Sequence, residues 1–262
     1  MISSETICLH DKKAIESFLR QNVFLYIYAI GDLDDFFWPY TTWYAWKEEN
    51  ENRAIALLYS RRKLPTLLAL SDEGKTKKLL QNLVHLLPNK FHAHLRSGID
   101  TTLKSKYNMK SHGQYYKMAL KNKLALQDAD CTGAVRLKFE DLDEVLEFYQ
   151  QAYPDNWFDS DMLQTKQYFG IRKENKLVSV AGIHVYSEQY KVAALGNIVT
   201  HPDYRGHGYG KAATAKLCQE LLKKVNHIGL NVKSDNETAI SMYKRLGFEI
   251  SDSYWEYTAE LK

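Results

Sequence analysis

Apolar and polar positions along this chain run through one pattern of elements and then begin it again. In the first round, Lys12 to Arg20 reads as a short helix, and Asn22 to Ile30 is apolar and aromatic. Thr41 to Trp46, Arg53 to Tyr59 and Leu64 to Leu70 have strand composition. Asp72 to Leu87 then reads as a helix, with Leu79, Leu80, Leu83, Val84, Leu86 and Leu87 as its apolar face. Phe91 to Leu95 is a strand, Thr101 to Tyr107 a short helix, and Gln114 to Leu120 a further strand.

The second round starts at Ala134 to Lys138, a strand. Asp141 to Gln151 is an amphipathic helix with Leu142, Val145, Leu146 and Tyr149 inward, and Asp159 to Lys166 a short one. Gln167 to Arg172 and Leu177 to Tyr186 form a hairpin across Lys173–Lys176. Val192 to Thr200 is a strand, Lys211 to Val225 a helix, Ile228 to Val232 a strand and Asn236 to Leu246 a helix. Two strands, Phe248 to Ser251 and Tyr254 to Thr258, finish the pattern. Between the rounds, Leu120 to Thr132 is polar and lacks an apolar face, which places the expected domain boundary there. The expected domains are 1–125 and 130–262, and a length of 262 residues suits two ordinary domains.

One stretch carries chemistry. Arg205-Gly206-His207-Gly208-Tyr209-Gly210-Lys211 follows a strand and opens a helix. Strand, glycine-rich turn and helix together aim backbone N–H groups and a positive helix end at one anion. Glycines there let phosphate oxygens approach closely. The stretch departs from the P-loop, because Gly206 to Gly210 is one residue too short and Ala212 replaces the metal-holding hydroxyl. It departs from the dinucleotide fingerprint in spacing and lacks the acidic ribose ligand. Downstream, Asn231 ends a strand, and Asn236, Ala239 and Tyr243 lie on a helix that stops at Gly247-Phe248. Asp235 or Asn236 suits the helix N-cap, and Gly247 the left-handed position after its end.

Arg205-x-x-Gly208-x-Gly210, followed by Asn231 and the Asn236-x-x-Ala239-x-x-x-Tyr243 helix, resembles the GNAT acetyltransferase superfamily. The resemblance implies an α/β (α+β) fold with a mixed, mostly antiparallel sheet flanked by helices. It implies an acyltransferase that moves an acetyl group from acetyl-CoA directly to a primary amine of a small molecule or amino acid, with a protein amine as the next candidate. By the same resemblance, Ile198, Val199 and Thr200 offer backbone groups to the pantetheine arm, and one N–H holds the thioester oxygen. Arg205, Gly206, His207, Gly208, Tyr209, Gly210 and Lys211 cradle the pyrophosphate. Asn231 and Asn236 contact the cofactor from across the cleft, and Tyr243 protonates the departing thiolate. His207 contributes only its backbone. The first half keeps the element order but has Ser71-Asp72-Glu73-Gly74-Lys75 where the loop belongs. Two acids there oppose anion binding, so this half reads as a degenerate copy. The layout of a degenerate half before an active one resembles glycine N-acyltransferase-like proteins.

The alternative is a non-catalytic acyl-CoA-binding or regulatory module. Candidates for the general base are His184, Glu188, His201, Glu144 and Asp155, and the sequence does not choose among them. His184 and Glu188 share one strand face if the strand runs that far. His92 and His94 also share a face, but no third ligand accompanies them and no metal is expected. Asp32, Asp34 and Asp35 read as a capped turn rather than a cation site. The aromatic run from Phe36 to Trp46 reads as core or inter-domain contact before pocket. A net charge of +3, with Lys75, Lys77 and Lys78 on a solvated helix face, gives no nucleic-acid footprint. Three widely spaced cysteines form no metal or disulfide framework, and Cys218 is expected in the core. No leader or membrane-spanning run is apparent, so a cytoplasmic monomer or homodimer is expected.

Overall fold

The computed structural model describes residues 4–262, which divide into two compact units. The first unit comprises residues up to Lys117, Lys233–Asp235 and Ser251–Lys262; the second comprises Met118–Val232 and Asn236–Ile250. The sequence boundary near 125–130 therefore falls inside the second unit, and the last residues of the chain belong to the first. Asn122 explains the first shift, because its N–H and that of Lys121 both bond to the Gly247 carbonyl at 3.0 Å.

In the first unit the chain forms β1 (Ser4–Leu9), α1 (Lys12–Leu19), α2 (Ile27–Gly31), β2 (Thr41–Glu48), β3 (Glu51–Tyr59) and β4 (Thr66–Ala69). It continues with α3 (Glu73–Leu83), β5 (Lys90–Leu95), α4 (Asp100–Leu103) and β6 (Tyr107–Leu120). The strand β1 was not legible in the sequence: only Leu9 of its residues is buried, so it has no apolar face to announce it. Pairing is antiparallel from β1 through β4 and parallel between β4 and β5. All of β4 takes part in that parallel ladder, Thr66 to Ala69 against His92 to Leu95. α3 sits over a core of Leu67, Ala69, Leu79, Leu80, Phe91, Leu95 and Tyr107.

The second unit contains β7 (Ala134–Arg136), α5 (Leu142–Ala152), α6 (Asp161–Gln164), β8 (Phe169–Lys173), β9 (Lys176–Ser187) and β10 (Val192–Thr200). Then come α7 (Tyr209–Leu221), β11 (His227–Lys233), α8 (Glu237–Arg245) and β12 (Phe248–Leu261). Its strands are ordered β11-β10-β9-β8-β7, antiparallel except for β10 with β11. α7 buries Ala213, Ala215, Leu217, Cys218 and Leu221, and the two buried alanines let it lie close on the sheet. The two final strands expected from sequence are one strand, β12. Its distal part, Trp255 to Glu260, pairs antiparallel with Leu95 to Lys90 and so joins the first unit.

Several ionisable groups of the first unit are buried. Lys117 is 2% exposed, with its Nζ 4.9 Å from the Tyr254 ring and 5.2 Å from the Tyr28 ring. Burial pushes its ammonium down to about 8 and the His94 imidazole down to about 3. Asp32 is 6% exposed, and burial raises its carboxyl to about 8. Asp34 and Asp35 behave as a turn: Asp34 accepts the Phe36 N–H and Asp35 pairs with Lys12 at 2.6 Å.

These shifts act in separate pH windows. An unfolded aspartate titrates near 3.9, so between that value and about 8 the folded chain holds one proton more at Asp32. Stability from this group therefore falls as pH rises. His94 acts below the ordinary histidine range and Lys117 above about 8. Melting temperature should drop by several degrees between pH 6.5 and 8, for a loss of about 1–2 kcal/mol. Asp32→Asn should flatten that slope in thermal melts, and an unchanged slope would remove Asp32 as its source.

Candidate active site

The second unit opens where its two parallel strands part. β10 pairs with β11 only from Val192 to Leu195, against His227 to Leu230. Both strands continue, to Thr200 and Lys233, without pairing further with each other. The cause lies on the other edge of β10. Gly196 pairs with Gly182 of β9 and Val199 with Val180, so three steps on β10 match two on β9. This is a β-bulge, and Asn197 within it has φ +53°. Asn197 and Ile198 have no register partner on either β9 or β11.

Asn197 is 4% exposed and fully tied. Its Nδ2 donates to the Tyr168 hydroxyl at 2.9 Å, and its Oδ1 accepts the Trp157 N–H at 3.2 Å. Its carbonyl accepts the Tyr149 hydroxyl at 2.6 Å, while the Tyr168 hydroxyl donates to the Ile183 carbonyl at 2.8 Å. Sequence reading missed this residue. The available signal was an asparagine, the side chain best suited after glycine to left-handed backbone, inside a run of apolar strand residues.

The bulged strand leads into the glycine loop. Gly206 and Gly208 have φ of +83° and +82°, and a Cβ on either would meet open space. Conformation, not crowding within the chain, requires glycine at both. Gly210 has a different reason: a Cβ there would lie 2.9 Å from Thr200 Oγ1, which is hydrogen-bonded to Ser179 Oγ at 2.9 Å. The same hypothetical Cβ would be 3.8 Å from Met242 Sδ, so α8 stands beside the loop. Gly208 is the N-cap of α7 and supplies no side-chain bond. The first bond closing the helix is Ala212 N–H to the Gly208 carbonyl at 2.9 Å. Among the described residues, the N–H groups from Gly206 to Lys211 have no backbone acceptor.

The loop's side chains brace it. Arg205 Nε donates to the Thr200 carbonyl at 3.3 Å. The His207 ring stacks on Tyr209 at 5.7 Å and its Nδ1 lies 2.9 Å from the Arg205 carbonyl. Lys173 lies 5.1 Å over the other partner of that stack, the Tyr209 ring.

On α8, Tyr243 is 7% exposed and meets Phe248 edge-on at 5.9 Å. Burial first, then the neighbouring Cys218 and Tyr153, pushes its phenol well above the ordinary tyrosine value. Its hydroxyl makes no hydrogen bond among the described residues and is not sealed from solvent. Asn236 is the N-cap of α8, its Oδ1 accepting the Ala239 N–H at 3.1 Å. That oxygen is committed to the helix. Asn231 is the first residue of β11 beyond the parallel ladder.

The base candidates separate clearly. The His184 ring lies against Gly196, at the point where β9 carries one extra residue before the bulge of β10. Glu188 is beyond the end of β9 and is held by the Tyr186 hydroxyl at 2.6 Å and by Lys224. Glu144 is held by Arg172, which also pairs with Asp141 at 2.8 Å. His201 caps the turn Pro202–Tyr204 through the Asp203 N–H. Asp155 is exposed in the loop after α5. Cys218 is fully buried, with its thiol pushed up by burial. No group of three or more metal-ligating side chains occurs among the described residues, and no helix there is long and apolar enough to cross a membrane.

The contact between Gly210 and Thr200 gives a sign test. Alanine in a helix's first turn is ordinarily favoured over glycine by about 1 kcal/mol. Gly210→Ala should instead destabilise the chain by about 1–3 kcal/mol through overpacking on Thr200. In a Thr200→Ala background the same change should stabilise. Denaturant melts of the four chains read the inversion, and a like-signed effect in both backgrounds would show that Thr200 does not set the need for glycine.

Comparison with known proteins agrees with this geometry. Residues 134–248 match the model of the Acetyltransferase (GNAT) family. The [Ribosomal protein bS18]-alanine N-acetyltransferase of Escherichia coli K12 is 31% identical over 117 residues, covering 43% of this chain and 77% of the relative. An acetyltransferase of Sodalis glossinidius is 43% identical over 54 residues, 20% of this chain, and the chain spans only 38% of that relative's length. A solved tandem GNAT protein from the clavulanic acid biosynthesis pathway superposes with a TM-score of 0.59 at 14% identity, over 98% of each chain. The loop, the parted strands and the matched segment coincide in the second unit: this chain belongs to the GNAT acetyltransferase family.

Proposed function

We propose that the second unit transfers an acetyl group from acetyl-CoA to a primary amine. The observation that carries this reading is the run of N–H groups from Gly206 to Lys211, left without backbone acceptors at the end of a parted strand. Such a run at a helix N-terminus suits a pyrophosphate. Gly206, Gly208 and Gly210 keep the approach clear, and Arg205 and Lys211 add positive charge. The edge of β10 from Ile198 to Thr200, beyond the end of its ladder with β11, suits the amide-bearing pantetheine arm.

The chemistry follows from the donor and from this chain's groups. The amine lone pair attacks the thioester carbonyl carbon, a C–N bond forms, and the C–S bond breaks. Negative charge on the carbonyl oxygen is met by an N–H of the bulged strand, with Ile198 the group withdrawn from pairing. Tyr243 gives its proton to the leaving thiolate. As a phenol it is protonated at neutral pH, as a donor must be, and burial holds it in that form. Among the five base candidates, His184 is the one whose ring lies against β10, at Gly196, which favours it as acceptor of the amine's proton. The acceptor is a small amine or amino acid, with a protein amine as runner-up.

The first unit fits a non-catalytic copy of the same fold. Its β4 does not part from β5, and α3 closes its own N-terminus: the Asp72 carboxylate accepts the Lys75 N–H at 3.2 Å. An anion there would meet Asp72 and Glu73.

Titration calorimetry with acetyl-CoA tests the reading. One equivalent should bind with micromolar affinity, and Gly208→Glu or Arg205→Glu should weaken binding by at least about tenfold. Tyr243→Phe should lower turnover, read as free CoA release from an amine library, by about 10- to 100-fold, with acetyl-CoA affinity within about threefold. Absence of binding to folded protein would refute the assignment. Equal loss of affinity and turnover in Tyr243→Phe would remove the proton-donor role and favour a binding module.

A further inference from the structure

We infer that Asn197 is a positioning residue which sets the thioester-oxygen donor and ties it to the loop after α5; this rests on the acetyl-transfer reading above. Four observations converge on it. Asn197 occupies left-handed backbone in the middle of a strand, a conformation that persists only where its surroundings hold it. Those surroundings are a closed set of bonds. Tyr149 holds its carbonyl, Tyr168 its amide nitrogen, and the Trp157 N–H its amide oxygen.

With the Asn197 carbonyl drawn to Tyr149, the peptide that follows is turned out of the ladder. The Ile198 N–H belongs to that peptide. Neither β9 nor β11 pairs with it in register.

The tie to Trp157 extends the effect. Phe158, the next residue, packs between the rings of Tyr149 and Tyr168 at 5.1 and 5.5 Å. Tyr153, at the start of the same loop, is near enough to Tyr243 to raise its phenol. One asparagine thus fixes the bulge and a loop that reaches toward the proton donor. An extended residue at 197 would restore pairing and rotate the Ile198 N–H into the sheet.

The experiment compares two probes on the full chain: acetyl-CoA and S-ethyl-CoA, a thioether that lacks the carbonyl oxygen. Wild type should bind acetyl-CoA about five- to tenfold tighter, the share of one well-placed hydrogen bond. Asn197→Val disfavours left-handed backbone and removes all side-chain ties, so the ratio should fall toward one while S-ethyl-CoA affinity holds within about twofold. A general loss of structure would weaken both probes together and leave the ratio unchanged.

Tyr168→Phe supplies a second variant should the valine chain fail to fold. It removes one tie and should lower the ratio by about two- to threefold. Asn197→Gly allows the left-handed backbone without the ties and should fall between wild type and Asn197→Val. A wild-type ratio near one, or a wild-type ratio retained in folded Asn197→Val or in Tyr168→Phe, would overturn the inference. Failure of wild type to bind either probe would instead sink the acetyl-CoA reading, and this inference with it.

Discussion

The second unit depends on one irregularity, the bulge at Asn197 that interrupts the pairing of β10 with β9 just beyond the end of its ladder with β11. A strand in a continuous sheet has both edges occupied and offers a ligand nothing. By giving β10 one residue more than β9, the chain takes Ile198 out of register without exposing the strand as a sheet edge. The parallel ladder with β11 stops at the same height, after Leu195 and Leu230. The glycine loop, α7 and α8 are then arranged around that opening. Gly210 accommodates Thr200 at the strand's end, and Met242 of α8 stands next to the loop.

The first unit shows what happens without the irregularity. Its β4 and β5 pair along the whole of β4, and the helix that follows is capped by its own Asp72. Element order is the same, yet the two features that would admit an anionic cofactor are both closed. Burial in this unit is spent instead on ionisable groups within the sheet, with Lys117 and His94 among Tyr28, Tyr254 and Glu256. Fold and site are therefore separable here, as they are across superfolds generally.

Much of this was legible in the sequence, and the gaps have physical causes. Helices with apolar faces, such as 141–151, and strands with continuous apolar runs, such as Val192 to Thr200, were readable from periodicity. The glycine loop was readable because Gly206 and Gly208 occupy backbone that other residues avoid. The strand Ser4–Leu9 was not, because it buries almost nothing. The end of the chain was misassigned to the second domain, since strand pairing with β5 is a long-range event that local pattern does not encode. Asn197 was passed over because a single polar residue in an apolar strand gives no hint of the tyrosines that hold it. Likewise Glu144 and Glu188 looked available as bases until Arg172, Tyr186 and Lys224 were seen to hold them.

The central claim is that one unit has an open acetyl-CoA cradle and the other a closed one. Amide hydrogen exchange of the full chain, with and without acetyl-CoA, tests this directly. The account predicts slowed exchange at residues 196–211 and 231–243, with no change at 70–77, where α3 begins. Protection at 70–77, or none at 205–211, would contradict it.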